Sequence, residues 1–115
     1  MKKLDEIALE PNDRAAVEQA AAVLREVLPV DRVVLFGSKA RAEPTGGESD
    51  IDLLVLTRRA ISPQERREVI HALFDVELAR DVAISPLIVP SRDWEDGVYQ
   101  VLPIRREVER DGVTA

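Results

Sequence analysis

Cysteine is absent from this chain and histidine occurs once. The first absence excludes a disulfide framework, a thiolate metal site and a cysteine nucleophile; the second excludes a multi-histidine zinc site. Aromatic residues make up only 3% of the sequence while apolar residues reach 45%, so the core must be built from alanine, valine and leucine, as suits an α/β protein. No apolar run approaches the roughly 20 residues of a membrane span. The start, Met1-Lys2-Lys3-Leu4-Asp5-Glu6, lacks the apolar centre of a signal peptide, and a cytoplasmic location is the simplest expectation. Positive charge is short as well. A formal net charge of −6 argues against general nucleic-acid binding, which depends on Lys and Arg neutralising phosphates. A length of 115 residues is expected to form one domain, residues 1–115, with a single core.

What is present concentrates between Phe36 and Leu53. Val33-Val34-Leu35-Phe36 is a continuous apolar run, expected of a strand covered on both faces. Gly37 follows it and lets backbone approach a ligand closely. Ser38 to Glu43 can form one or two helical turns before Pro44, and free N–H groups at such a start, with the Ser38 hydroxyl, suit a phosphate. After the loop Thr45-Gly46-Gly47-Glu48 come Asp50 and Asp52, opening a second apolar strand. Side chains on a strand alternate, so the two carboxylates share one face. They are hard oxygen donors of the kind Mg²⁺ prefers, and Mg²⁺ is commonly held by one or two carboxylates plus substrate phosphates. A phosphate cradle beside paired carboxylates points to metal-assisted phosphoryl chemistry. Each half alone also reads as turn chemistry, since Gly, Ser and Asp favour loops; their order between two apolar strands favours the chemical reading.

Gly37, Ser38, Ala40, Arg41, Ser49, Asp50 and Asp52 resemble, residue by residue, the signature of the minimal nucleotidyltransferases, relatives of the DNA polymerase β superfamily: Gly-Ser-x-Ala-Arg-Gly, a short loop, then Ser-Asp-x-Asp. Ala42 replaces the usual last Gly, and the loop is one residue longer than the commonest spacing. The resemblance implies transfer of a nucleoside monophosphate, AMP in the first instance, from ATP or another NTP to a hydroxyl. It implies Mg²⁺ on Asp50 and Asp52, with Gly37 and Ser38 holding the terminal phosphates. Arg41 would support that loop or neutralise phosphate charge. It further implies a partner protein, because many minimal members work beside a small helical HEPN-type toxin, which the nucleotidyltransferase neutralises as antitoxin. Active members usually carry a third carboxylate on a third strand. Here Ser85 stands at that position and Asp81, just ahead, is the candidate substitute. Ser85 favours a second reading, a weak or inactive nucleotidyltransferase-fold subunit that acts by complex formation. The acceptor, the preferred nucleotide and the oligomeric state are left open.

The expected fold is α/β (α+β): a small mixed sheet of three or four strands with helices mainly on one face, the polymerase β-like palm. Pro11-Asn12-Asp13 starts a first helix whose apolar face carries Val17, Ala20, Ala21, Leu24, Val27 and Leu28. Strands are expected at about 32–36, 51–56 and 82–89, with Pro86 marking an edge or bulge. Ser62-Pro63-Gln64-Glu65 is a capping box, opening a helix to about Leu78 with Val69, Ile70, Leu73, Val76 and Leu78 inward. Ser91 is expected to cap a helix bearing Trp94, Val98, Val101 and Leu102. Asp111-Gly112 then turns the chain into a frayed end. His71, Trp94 and Tyr99 read as structural or exposed rather than catalytic or base-stacking. The pairs Arg58-Arg59, Arg66-Arg67 and Arg105-Arg106 read as solvated element ends.

Overall fold

The computed structural model describes residues 1–43 and 50–115; Pro44, Ser49 and the loop between them lie outside the described residues. In chain order the elements are β1 (Lys2–Lys3), α1 (Pro11–Val27), β2 (Val30–Phe36), α2 (Gly37–Ala40), β3 (Ile51–Thr57), α3 (Pro63–Arg80), β4 (Ile84–Pro90), α4 (Ser91–Asp96), α5 (Pro103–Asp111) and β5 (Val113–Thr114). Short 3-10 turns sit at Leu4–Glu6 and Val98–Val101. The strands form one mixed sheet in the order β1-β5-β2-β3-β4. β2 is antiparallel to β3 and β5, whereas β3–β4 and β1–β5 are parallel.

The two apolar runs are central strands because both of their faces are buried. Val33, Leu35, Ile51, Leu53 and Val55 pack under α1 and α3 against Ala16, Val17, Ala20, Leu24, Val69, Leu73 and Val76. Val34, Phe36, Leu54 and Leu56 point the other way, onto Val89, Trp94 and Val108. The two long helices thus cover one face, and the short α4 and α5 patch the second. Trp94 is buried there, its ring 5.6 Å from Tyr99 and 5.3 Å from the Arg105 guanidinium, which makes it an anchor of the sheet. β4 is the edge strand, where Pro86 leaves no ladder partner unsatisfied.

The capping box forms as written: Glu65 N–H donates to Ser62 Oγ at 3.1 Å, and Ser62 N–H donates to Glu65 Oε1 at 2.9 Å. Two bonds from Arg59, each 2.9 Å, join them. Together, Arg59 foremost, they hold the Glu65 carboxyl at about 2, so the cap stays charged in mild acid.

Five expectations are corrected. The chain end is not frayed: β5 enters the sheet between β1 and β2, Val113 is buried, and Ala115 N–H donates to Val33 O at 2.9 Å. The sheet therefore has five strands, two of them only two residues long. On α3, Ile70 and Leu78 face solvent at 57% and 67% exposure, with Phe74 at 53%; the helix contacts its neighbours through one narrow face, and these residues lie away from it. After Trp94 the helix ends at Asp96, so Val98, Val101 and Leu102 fall on a separate turn and are exposed. Ser91 is the first helical residue rather than the cap, and its hydroxyl donates to Asp31 Oδ2 at 2.6 Å.

Candidate functional site

The end of β2 and the start of β3 meet because the ladder pairs Phe36 with Asp52. One residue past Phe36, Gly37 turns left-handed at φ +74. A Cβ there would overlap Asp52 Oδ2 and lie 3.3 Å from Asp52 Cγ. The backbone angle favours glycine there, and any side chain would have to displace the Asp52 carboxylate from its place. Gly37 opens the single turn α2, whose first N–H groups have no carbonyl partner within the helix; Arg41 N–H donates to Gly37 O at 3.2 Å, and Glu43 N–H to Ser38 O at 3.1 Å.

On the other side of β3, parallel pairing sets Ser85 opposite Asp52. Ser85 is thus the residue that the neighbouring strand presents beside the acid. Asp50 is exposed just ahead of β3, and Asp52 is half-buried within it. Burial pushes the Asp52 carboxyl above its ordinary range; the charges of Asp50 and Glu107 push it further, while Arg41 pulls it down. Asp81 stands apart. It ends α3 in the left-handed region at φ 54, a conformation Asp tolerates better than most residues, and its N–H donates to Glu77 O. Among the described residues no three acidic or histidine side chains converge as a metal cluster.

Arg41 leans on acids: Glu43 at 2.6 Å, Glu107 at 3.4 Å and Asp111 at 3.5 Å. It ties the turn after β2 to α5. A shallow depression beside it is lined by Val101, Pro103, Arg106, Glu107 and Arg110. Behind the turn, Lys39 Nζ meets Asp13 Oδ2 at 2.9 Å with both side chains nearly buried, which fastens the Gly37-Ser38 segment to the start of α1.

Three of these participants were not legible in the sequence: Glu107, Asp111 and the Lys39–Asp13 pair. Glu107 and Asp111 are four residues apart and hence share a face of α5, but nothing local says that this face meets Arg41. Lys39 and Asp13 are separated by a helix and a strand, and only the packing of α1 under the sheet joins them.

A model of the nucleotidyltransferase domain matches residues 17–110. A Methanocaldococcus jannaschii protein provisionally named a protein adenylyltransferase is 37% identical over 68 residues, spanning 59% of this chain and 66% of that protein. A solved structure provisionally assigned as a minimal nucleotidyltransferase is 26% identical, with a TM-score of 0.58 over 96% of this chain and 94% of that one. A chain in the structure of a tri-AMPylated Shewanella oneidensis HEPN toxin with its MNT antitoxin is 18% identical, with a TM-score of 0.56 over 88% of this chain and 69% of that one. That likeness concerns the fold alone. The glycine turn set against an aspartate of the central strand and the match across most of the chain agree, and the chain belongs to the nucleotidyltransferase domain family.

Proposed function

We propose that this protein transfers AMP from ATP, or the corresponding group from another NTP, to a hydroxyl of a partner protein, a HEPN-type toxin for which it serves as antitoxin. The observation that carries the proposal is the packing of left-handed Gly37 against Asp52, with Asp50 two residues before on the same strand entry. Such a turn brings bare backbone N–H groups beside two hard oxygen donors, which is what a metal–triphosphate needs. The donor set fits Mg²⁺: Asp52 carries the unfavourable charge of Asp50 and Glu107 in a half-buried position, and a divalent cation relieves that repulsion. When bound, Mg²⁺ supplies charge neutralisation on the phosphates and on the departing pyrophosphate.

In this scheme Asp50 and Asp52 hold the metal. Gly37 and Ser38 receive the β- and γ-phosphates through backbone N–H groups and the Ser38 hydroxyl. Arg41, already balanced by Glu43, Glu107 and Asp111, braces the turn from α5. The acceptor oxygen forms a bond to the α-phosphorus, the bond from that phosphorus to the bridging oxygen breaks, pyrophosphate leaves, and the hydroxyl proton passes to solvent or a nearby base. Phosphoryl transfer depends mostly on positioning and electrostatics. The relatives described above support the choice of group and acceptor: one is provisionally named a protein adenylyltransferase, and one solved complex holds an AMPylated toxin.

A second reading is favoured by Ser85, which stands opposite Asp52 where an acid would complete a triad. In that reading the chain binds nucleotide and partner without turnover. Co-expression with the helical product of an adjacent gene, followed by mass spectrometry, separates the two. A tyrosine gaining AMP supports transfer; a stable complex with no added mass supports the binding subunit. Calorimetry of the isolated chain with ATP tests the site itself. Affinity should require Mg²⁺ and vanish with EDTA or in the D50N/D52N variant.

A further inference from the structure

α3 carries an apolar stripe that nothing else on the molecule explains. Ile70, Phe74 and Leu78 are 57%, 53% and 67% exposed, and at i, i+4, i+8 they lie on one side of the helix. The same face carries Arg67, and Asp81, the left-handed residue that caps the helix, lies just past its C-terminal end; both are exposed and neither is in an ion pair among the described residues. Ile70 and Leu78 stand four residues either side of Phe74, with Arg67 toward one end of the helix and the capping Asp81 at the other. The spacing is the same in both directions about Phe74, and the chemistry inverts across it: base and aliphatic on one side, aliphatic and acid on the other.

We propose that this face is an interface between two copies of the chain, α3 packing antiparallel on α3 of the second copy with Phe74 at the two-fold axis. An isologous contact requires a self-complementary surface, and this palindromic stripe is one. In the antiparallel arrangement Phe74 meets Phe74, each Ile70 meets Leu78 of the other copy, and each Arg67 meets Asp81 of the other copy. A parallel pairing would set Arg67 on Arg67 and Asp81 on Asp81, with like charges opposed. Steps of three and four keep the apolar residues on one side of the helix. The antiparallel orientation also opposes the helix dipoles favourably. α3 covers the sheet face opposite the one that carries Asp52 and Phe36, so pairing leaves the candidate site open in both copies. The inference is independent of the nucleotide chemistry proposed above.

Sedimentation of the full chain from low to several hundred micromolar should show a monomer–dimer equilibrium. F74E should weaken it by roughly a hundredfold, as expected for a central aromatic anchor, while circular dichroism keeps its native form. The charged ends supply a sharper test. R67E alone and D81K alone each oppose like charges twice in a homodimer, and each should associate less well than the natural chain. Mixed together they restore both ion pairs, and a heterodimer should form more tightly than either homodimer by roughly tenfold or more, because like charges opposed at an interface disfavour the wrong pairing. A chain that stays monomeric throughout overturns the proposal, including one that does so and pairs through α3 only with a different protein. A dimer indifferent to the charge variants overturns the antiparallel seam.

Discussion

Gly37 and Asp52 touch across the junction of β2 and β3, where a Cβ on residue 37 would fall against the Asp52 carboxylate. The contact couples the turn after β2 to the acid, so each restrains the other. G37A should therefore lose stability by about 1–3 kcal/mol, from an L-residue held at positive φ and from the collision. It should lose Mg-ATP affinity as well. Urea unfolding and calorimetry measure the two effects, and a stable variant with unchanged nucleotide affinity would remove the coupling.

Asp52 should make stability depend on pH in a defined direction. Its carboxyl is raised in the folded chain by burial first and by Asp50 and Glu107 next. A raised acid binds its proton more tightly when folded, so its contribution is full below the ordinary Asp value of about 4 and is lost as pH climbs through the raised value. D52N, permanently neutral, should melt higher than the natural chain at pH 7 in the absence of divalent cations, the gap closing as pH falls below about 4. Adding Mg²⁺ at pH 7 should raise the melting temperature of the natural chain and leave that of D52N unmoved.

Ser85 is the β4 residue in register with Asp52. S85D should speed transfer while leaving ATP affinity unimproved, the pattern of an interaction made in the transition state. The added like charge should lower the metal-free melting temperature, and Mg²⁺ should restore it. D81N provides the contrast. Asp81 closes α3 as its left-handed cap and does not converge with other acids as a metal cluster among the described residues, so its replacement should leave transfer intact; loss of transfer with fold and nucleotide binding preserved would make it the substitute base.

Lys39 and Asp13 form a nearly buried ion pair of 2.9 Å between the turn after β2 and the start of α1. Removing one partner strands the other charge, a cost of about 3–5 kcal/mol for buried pairs. K39M and D13N should each destabilise strongly, and the double variant should recover much of the loss. Chemical denaturation of the four chains closes the cycle, and additive losses would show that the pair is not coupled.

Local pattern carried a good deal of this fold. The α3 cap was legible because Ser62 and Glu65 satisfy each other within one turn, and β2 and β3 because an unbroken apolar run must be covered on both sides. Pro86 marked an edge through its missing N–H. Patterns failed where a choice depends on distant partners. Val69, Ile70, Leu73 and Leu78 are equally apolar, yet the sheet and α1 touch only one side of the helix. Val113-Thr114 is too short to show any period, and became a strand only because β1 and β2 leave a slot between them.

The same division holds at the site. Sequence alone placed Gly37 and Ser38 at the end of one apolar strand and Asp50 and Asp52 at the start of the next, because apolar runs bounded by turn residues read as strands. Tertiary structure alone decided that Gly37 presses on Asp52, that Ser85 stands opposite it, and that Arg41 and Lys39 are balanced by Glu107, Asp111 and Asp13. Strand register and helix packing join residues far apart in the chain, and their energies come from burial shared by many side chains at once. No short window of sequence contains that sum.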